Sequence, residues 1–371
     1  MELTKCKLGE LITQRREKSD GTPLPICGVS KEGLIPPKQI DADTSIYNVF
    51  YRDDFIFNPA RMELNSIAIN DKYDRAICSS LYEVFYVHRT DLLLPHYLKL
   101  IVKQKWFTRY CEFLGQGSAR EYCRFNNISE IEIEFPSIEE QKKIVEQYTI
   151  LQNRIAIKKQ INDNLEAQAS TLYHTLFDEQ SEWIKGHVSD FGEVIGGATP
   201  SKEVDDYFCA NGIVWLTPRD LTSTGKKFIY KGETDITEAA YRSCSTKMLP
   251  QGTVLLTSRA PVGCVAIAMT SLCTNQGFKS IIPKENIGSA FVYYFLKENK
   301  QLLDSHSSGT TFMEISGNVL KEIPVAIPPE DLTRKFSELC QPLFLYQQQI
   351  EKEIDQLIEL QYTMVSQISS H

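Results

Sequence analysis

The hydrophobic side chains of this chain follow two periods, one after the other. Between Ile128 and Phe135 apolar and polar residues alternate, which is typical of a half-buried strand, and Pro136 ends the alternation. Beyond Pro136 the apolar residues recur at heptad spacing, and neither proline nor glycine occurs again before Gly186. The pattern therefore predicts a β-rich block followed by a helix of about 40 residues, roughly 60 Å long.

The same succession of patterns occurs twice. Residues 117–136 match residues 309–328 at a constant offset of 192 positions. Further upstream, Arg61 and Arg259 each follow an apolar, strand-like segment, and each stands seven residues before an alanine inside a second apolar segment. Similarity that keeps its order over this length indicates an internal duplication.

Both heptad stretches predict a coiled coil rather than a helix lying on a globular core, because their apolar stripes persist over four to five heptads. The first stripe comprises Ile144, Tyr148, Leu151, Ile155, Leu165, Ala169, Leu172 and Leu176. The second comprises Phe336, Cys340, Leu343, Ile350, Ile354, Leu357, Met364 and Ile368. Lys158, Asn162, Gln347 and Gln361 interrupt the stripes, where they are expected to fix register at some cost in stability. Pro342 is expected to kink the second helix or to make its first turns a separate segment.

These patterns predict an α+β protein made of two similar β-rich domains and two long helices. The expected boundaries are a first domain at 1–136, a helix at 137–180, a second domain at 181–328 and a helix at 329–371. Short helices are expected inside the domains at 97–110 and 291–303.

Composition is that of a soluble globular protein, with 42% hydrophobic and 24% charged residues. The ten cysteines include no CxxC pair, so zinc-ligand spacing is absent, and no metal site is expected. No apolar run approaches the ~20 residues of a spanning helix, and the first residues do not resemble a signal peptide. We therefore expect a cytoplasmic protein that does not bind membranes.

The net charge of −8 at first argues against nucleic acid, because phosphate contacts need lysine and arginine. The acidic residues are, however, unevenly distributed. Each predicted domain has a net charge of −1, and the two predicted helices carry the remaining −6. A local basic face can therefore form on either domain.

The order of domains and helices resembles the specificity subunits of type I restriction-modification systems over essentially the whole chain. The sharpest match is the stretch Ile133–Val145, which resembles the family's junction between a target-recognition domain and a spacer helix. Supporting matches are Gly196–Ser201, Ser258–Gly263 and Thr274–Phe278. The second junction departs from the pattern, since Glu140-Gln141 is replaced by Leu332-Thr333.

The resemblance implies that each domain is a target-recognition domain for one half of a split site in double-stranded DNA, and that the helices pair antiparallel. It further implies two partner subunits that methylate adenine N6 with S-adenosylmethionine, and restriction subunits that translocate DNA with ATP and Mg²⁺. The chain itself is expected to hold no cofactor. Half-sites about one DNA turn apart, ~34 Å, need rigidly separated readers, which a pair of helices supplies.

The candidate DNA contacts are basic and hydroxyl side chains of the two domains. Arg61 and Arg259 lead, because arginine can grip guanine O6 and N7 or clamp phosphate, and a structural arginine bracing its loop is the alternative. The further candidates are Ser118, Arg120 and Arg124 in the first domain and Thr310 and Thr311 in the second, with Lys31, Arg219 and Lys279 as weaker choices. Solvated surface is the alternative for each of them. Trp215 is expected in the core.

Enzyme motifs are absent from the sequence. The nearest match to an adenine methyltransferase motif, Asn58-Pro59-Ala60, lacks the second proline and the aromatic residue, and no GxxxxGK[ST] phosphate loop occurs. A non-catalytic specificity subunit is therefore the leading hypothesis. The alternatives are the specificity subunit of a type IIB-like system, a coiled-coil scaffold that does not bind DNA, and an enzyme with an unfamiliar site.

Overall fold

The computed structural model describes residues 3–37, 39–40, 43–115, 122–179, 183–259, 261–309 and 313–368. They divide into two compact units. Unit 1 comprises Met1–Ile157 and Asp355–His371, and unit 2 comprises Lys158–Ile354. The division cuts both long helices, so each unit holds one β-rich domain and a part of each helix.

The described residues of the first domain form ten strands and three helices. The strands are β1 Thr4–Lys7, β2 Ile12–Arg15, β3 Ile26–Ser30, β4 Gly33–Ile35, β5 Asn48–Tyr51, β6 Phe55–Phe57, β7 Ile67–Ile69, β8 Arg75–Cys78, β9 Glu83–Val87 and β10 Glu132–Phe135. The helices are α1 Pro95–Val102, α2 Lys105–Gly115 and α3 Phe125–Ser129, with short 3-10 helices at Leu8–Glu10, Thr44–Ile46 and Pro59–Leu64. The first long helix, α4 Ile138–Phe177, follows.

In the second domain, the part that the structure describes forms eleven strands and five helices. The strands are β11 Ile184–His187, β12 Gly192–Gly196, β13 Phe208–Cys209, β14 Ile213–Leu216, β15 Phe228–Ile229, β16 Asp235–Ile236, β17 Val254–Ser258, β18 Val262–Ala268, β19 Cys273–Thr274, β20 Lys279–Pro283 and β21 Pro324–Ile327. The helices are α5 Pro218–Thr224, α6 Glu238–Ser243, α7 Gly288–Glu298, α8 Lys300–Ser305 and α9 Gly317–Glu322, with 3-10 helices at Val188–Asp190 and Asp205–Tyr207. The second long helix is α10 Glu330–Ile368.

The two domains share most of their topology, which confirms the duplication. One sheet has the order β2-β9-β6-β7 in the first domain and β12-β20-β17-β18-β15 in the second. The other sheet has the orders β4-β3-β8-β5 and β13-β16-β14-β19, and each contains one parallel pair, β3 with β8 or β14 with β19. The first and last strands of each domain form an antiparallel ribbon, β1-β10 or β11-β21.

Two local predictions inside the domains were wrong. Ile128 and Leu320 lie on the short helices α3 and α9, and the closing strands begin only at Glu132 and Pro324. The polar residues before them favour a capped helical turn: Ser316 Oγ, for example, accepts from the N–H of Val319 at 3.2 Å.

The helix predicted at 97–110 is two helices, α1 and α2, and the helix predicted at 291–303 is likewise α7 and α8. Neither break contains proline or glycine. At the first break, Lys103 Nζ donates to the carbonyl of Ile67 at 3.0 Å, and at the second, Asn299 Nδ2 donates to the carbonyl of Phe295 at 2.9 Å. A side chain therefore donates a hydrogen bond to a main-chain carbonyl at each break. The periodicity of hydrophobic residues does not predict such bonds.

The stripe residues of both long helices face inward as predicted, and Ile350 is fully buried. In unit 2 the helices pair antiparallel, because Lys158 of α4 contacts Glu353 of α10 whereas Asn162, further along α4, contacts Gln347.

Helix α10 runs through Pro342 as one element, so its first turns are not a separate segment.

The expectation that the helices do not lie on a globular core was wrong in both units. In unit 1, Ile144 of α4 and Ile368 of α10 pack against the core of the first domain. Tyr173 and Phe177 of α4 and Phe336 of α10 are buried in the core of the second domain. The ring centroids of Phe177 and Phe291 are 4.9 Å apart. Heptad spacing resembles the spacing of a helix face that packs on a domain, so the pattern could not separate the two arrangements.

Candidate nucleic-acid interface

In the second domain the candidate site is built around the turn Asn275–Gly277, which joins β19 to β20. The N–H of Asn275 donates to the carbonyl of Leu216 at 2.9 Å, and the N–H of Ser258 donates to the carbonyl of Gly277 at 2.8 Å. Asn275 Oδ1 accepts from the N–H of Gly277 at 2.8 Å, which closes the turn on itself. The turn is therefore held between the ends of strands β14 and β17.

The pair Gly196-Gly197, at the end of β12, packs on this turn. A Cβ atom on Gly197 would lie 2.1 Å from the carbonyl oxygen of Thr274, so only glycine allows this approach. The N–H of Ala198 donates to the same carbonyl at 3.0 Å, and Thr199 Oγ1 donates to Gln276 Oε1. Two of the matched motifs, Gly196–Ser201 and Thr274–Phe278, thus form one structural unit.

Two of the predicted residues, Arg259 and Lys279, lie beside the turn. Lys279 Nζ donates to the carbonyl of Gln276 at 3.2 Å, and Arg259 Nη1 lies 4.0 Å from Glu314 Oε2 with 38% of its side chain exposed. Burial lowers the pKa of Lys279; the carboxylate of Glu314 opposes this effect, and the charge of Arg259 adds to it. The patch beside the turn thus holds two basic side chains, Arg259 and Lys279, and one acidic side chain, Glu314.

Arg219 also lies near this turn. It is exposed, in the first turn of α5. Its neighbour Pro218 approaches Gly277 closely: a Cβ atom on that glycine would lie 2.7 Å from Pro218 Cγ. The structure therefore gathers Arg219, Arg259 and Lys279, which the sequence separates by up to 60 positions, around one turn.

Arg61 in the first domain occupies a related place. It lies exposed in the 3-10 helix Pro59–Leu64, directly after β6. The carbonyl of Pro59 accepts from the N–H of Cys123 at 3.0 Å, just as the carbonyl of Ser258 accepts from the N–H of Ile315 at 3.0 Å in the second domain. In both domains the segment with the leading arginine is therefore joined to the segment that precedes the closing strand.

Arg124 follows Cys123 and is 65% exposed at its side chain. Its Nη1 lies 3.4 Å from Glu83 Oε1, and its guanidinium carbon lies 5.5 Å from the ring centroid of Tyr122. Since Cys123 bonds to Pro59, Arg124 and Arg61 lie on neighbouring segments of one surface.

Lys31 lies in a separate turn, between β3 and β4, where it is exposed and 3.7 Å from Glu32. Its carbonyl accepts from Lys103 Nζ at 2.7 Å. The same Nζ donates to the carbonyl of Ile67 at 3.0 Å, just after the 3-10 helix that carries Arg61, so Lys103 links the two segments.

Four predicted residues, Ser118, Arg120, Thr310 and Thr311, lie outside the described residues. Their neighbours are described in the second domain, where Ser308 and Glu314 exchange two backbone hydrogen bonds of 2.9 Å. Glu314 also forms a bridge with Arg259, so both Ser308 and Glu314 lie close to that arginine.

Sequence reasoning missed Gln276 and Glu314. Gln276 is exposed at the tip of the turn, and Glu314 balances part of its positive charge. Gln276 belonged to a matched motif, and that match was the only sequence signal for it. Trp215 is core, as predicted: it is 5% exposed and donates from Nε1 to the carbonyl of Ala198 at 3.1 Å.

Among the described residues, no group of three or more His, Cys, Asp or Glu side chains is placed to hold a metal ion. In the same part of the chain, no helix combines the length and the apolar character needed to cross a bilayer.

The duplicated domains, each followed by a long helix, define a recognisable class. The family model described as type I restriction modification DNA specificity domain matches residues 40–167 and 180–369. These matches cover most of the chain, which therefore belongs to this family.

Individual relatives agree with the family model. The type I restriction enzyme MjaIX specificity subunit of Methanocaldococcus jannaschii is 42% identical over 158 residues, which are 42% of this chain and 36% of that protein. The chain thus spans about a third of that relative's length. The type I restriction enzyme HindI specificity subunit of Haemophilus influenzae is 20% identical over 355 residues, with 74% of this chain and 76% of that protein covered.

Among solved structures, the type I restriction-modification S subunit from M. genitalium matches with a TM-score of 0.59 at 15% identity. The match covers 99% of this chain and 96% of that one. This likeness shows the fold, and it does not identify residues that bind a ligand.

Proposed function

We propose that this protein is the DNA-recognition subunit of a type I restriction-modification complex, with one half of a bipartite site read by each domain. The observation that carries the proposal is the repeated arrangement around Arg61 and Arg259. Each arginine follows an equivalent strand of a duplicated sheet, and each lies beside the segment that precedes the closing strand. Two related surfaces that differ in side chains suit two different half-sites.

The chemistry around the Asn275–Gly277 turn fits double-stranded DNA. Exposed arginines can pair with guanine O6 and N7 or with phosphate, an amide such as that of Gln276 can pair with adenine, and the ammonium of Lys279 supplies charge. The rigid main-chain bonds of the turn hold these groups in place before binding, which reduces the entropy lost on association.

The subunit is proposed to be non-catalytic. Two adenine-N6 methyltransferase subunits with S-adenosylmethionine, and restriction subunits with ATP and Mg²⁺, would carry out the chemistry. Support comes from family membership and from the absence of methyltransferase and phosphate-loop motifs in the sequence. The named relatives are type I subunits, so neither the type IIB-like alternative nor a scaffold without DNA is favoured.

The test compares Arg61→Ala with Arg259→Ala in the assembled methyltransferase complex. If each arginine reads bases, Arg61→Ala should relax selection in one half-site and Arg259→Ala in the other, each by about 1 to 3 kcal/mol of discrimination. If they clamp phosphate, each change should weaken all sequences alike and lower the salt slope by about one. Cognate and half-altered duplexes are titrated at two salt concentrations.

Matched controls are Arg89→Ala and Arg242→Ala, which remove exposed arginines paired with Asp91 and Glu238 outside the proposed site. Both controls should bind like the parent. Methylation should occur only when the methyltransferase subunits are added. A folded Arg61→Ala or Arg259→Ala protein with unchanged affinity, selectivity and salt slope would show that the DNA face is misplaced.

A further inference from the structure

A buried lysine joins the second domain to both long helices. Lys227 lies just before β15, and only 5% of its side chain is exposed. Its Nζ donates to Glu166 Oε2 of α4 at 2.8 Å and to Gln347 Oε1 of α10 at 3.1 Å. A third bond, to Tyr294 Oη of α7, is 2.8 Å long. One ammonium group thus connects one domain helix and both long helices inside unit 2.

The helices also contact each other and the domain main chain around Lys227. Gln347 Nε2 donates to Glu166 Oε2 at 3.1 Å, and the N–H of Lys227 donates to Glu351 Oε1 at 3.2 Å. Lys297 of α7 bonds to the second oxygen of Glu166. Helix α4, through Glu166, and helix α10, through Glu351, therefore each place an acidic side chain in a hydrogen bond with Lys227.

The surroundings shield Lys227 from solvent and keep it charged. Lys227 Nζ lies 3.8 Å from the ring centroid of Phe344 and 4.6 Å from that of Tyr293, distances at which an ammonium is attracted to an aromatic face. Burial lowers the pKa of Lys227 to about 8, so it is charged at neutral pH. Burial raises the pKa of Glu166, but Lys227 and Lys297 outweigh it and hold that pKa at about 2.

The network belongs to one copy of the duplication. At the offset of 192 positions, Glu166 corresponds to Ile358 and Gln347 corresponds to Ile155. In the described part of the chain the first-domain sheet also has no counterpart of β15, the strand that Lys227 precedes. The shared fold therefore does not require these polar groups, which are specific to the second domain.

A buried ion pair contributes little net stability, because desolvation offsets most of its Coulomb attraction, whereas a partner left unpaired is costly. Such groups therefore favour one arrangement of the helices over shifted arrangements, as polar residues within the apolar stripe do in coiled coils. A shift of α4 along α10 by one turn would leave Lys227 without Glu166 or without Gln347.

We propose that Lys227 is a positioning residue that fixes the orientation of the second recognition domain on the helix pair, and so restricts the gap between half-sites that the subunit accepts. The inference rests on the proposed function. The proposed role of Lys227 involves no contact with DNA, because Lys227 acts through the placement of Arg219, Arg259 and Lys279.

The test uses the double variant Lys227→Met and Glu166→Leu, which replaces the buried pair with apolar groups of similar size and should fold. The full-length variant is assembled with the partner methyltransferase, and bound duplexes are selected from a library that randomises both half-sites and the gap. The same bases should be selected, while duplexes whose gap differs by one base pair should rise about fivefold relative to the parental gap.

The matched control is Lys231→Met, which removes an exposed lysine paired with Asp235 at 3.3 Å in the same domain. It should keep the parental gap. Glu166→Gln provides a second, milder variant, which decides the question if the double variant does not fold. A folded variant that keeps the parental gap distribution overturns the inference, whereas a parent protein that selects no bipartite site overturns the proposed function instead.

Discussion

Gln141 and Thr333 occupy equivalent positions in the two helix junctions and, although they differ in side chain, make equivalent contacts. Gln141 is buried, and its amide bonds to the main chain at Leu94 and Leu92, at 2.9 and 2.7 Å. Thr333 lies 192 positions later, and its hydroxyl donates to the carbonyl of Asn286, 192 positions after Leu94, at 2.6 Å. Both residues tie a long helix to the loop before α1 or α7, so the altered junction still docks its helix.

Glu351 makes the stability of unit 2 depend on pH. Burial raises the pKa of this carboxyl to about 7, although the N–H groups of Lys227 and Phe228 oppose the rise. The folded unit therefore holds a proton that the unfolded chain releases above its ordinary pKa of 4.5. The contribution is fully present below pH 4.5 and is lost as the pH rises through 7, by up to about 3 kcal/mol.

Glu351→Gln should remove this fall in the free energy of unfolding between pH 4.5 and 7. Denaturant unfolding of parent and variant at several pH values measures it. Glu359→Gln, an exposed change on the same helix, is the control and should keep the parental slope. An identical slope in parent and Glu351→Gln would mean that this carboxyl is ionised throughout.

The length of the long helices, the apolar stripe through which they pair and the polar residues that interrupt the stripe could all be predicted from the sequence. Heptad spacing fixes which side chains face inward, and this is a local property of the chain. The contacts of Tyr173 and Phe177 with the second domain could not be predicted, because they depend on which domain surface folds against the helix. The same limit applies to the candidate site: Arg259 could be proposed from the duplication, but Gln276 and Glu314 needed the tertiary turn.

Pairing of the helices predicts how the gap between half-sites can be lengthened. Lys158 contacts Glu353, so Ile157 and Ile354 are matched positions across the pair. Inserting one heptad after each of these two residues keeps the stripe and leaves the internal contacts of both units unchanged. Site selection should then return the same half-sites with a longer gap.

A single heptad inserted after Ile157 alone is the control for this experiment. It should lower stability and weaken binding rather than lengthen the gap, because the partner helix stays short. If the doubly extended protein is folded and keeps the parental gap, the helices do not set the spacing.

At the scale of the whole molecule, the duplication gives two domains of similar fold whose candidate surfaces have different side chains. Lys279 begins β20, and the equivalent position at the start of β9 is Glu83. The position that adds positive charge to one candidate surface therefore adds negative charge to the other. Topology could be inferred from repeated patterns, whereas this reversal of charge can be located only when the strands are aligned in space.

Unit 1 depends on a segment far away in the sequence. Gln104 Nε2 donates to the carbonyl of Val365 at 3.3 Å, and Ile368 packs against the core of the first domain. Ending the chain after Ile354 should therefore destabilise unit 1 by roughly 2 kcal/mol, the low end of the cost of losing a core isoleucine. Unit 2, which ends at Ile354, should keep its stability.

Amide hydrogen exchange measures the two units separately in this truncated protein. Faster exchange is expected in α1 and β10, with unchanged exchange in α7 and β20. Equal acceleration in both units would show that they unfold together and that the division between them has no energetic meaning.

The discontinuity of unit 1 also reverses the order in which a ribosome could complete the two units. Domains ordinarily fold in the order of their synthesis, from the N-terminus onward. Here all of Lys158–Ile354 has been made before Asp355–His371 emerges, so the domain that is translated first is the last to obtain all its residues. During that interval the first domain exposes the apolar surface that Ile368 later covers. We therefore expect chaperones to bind the nascent chain mainly in this interval.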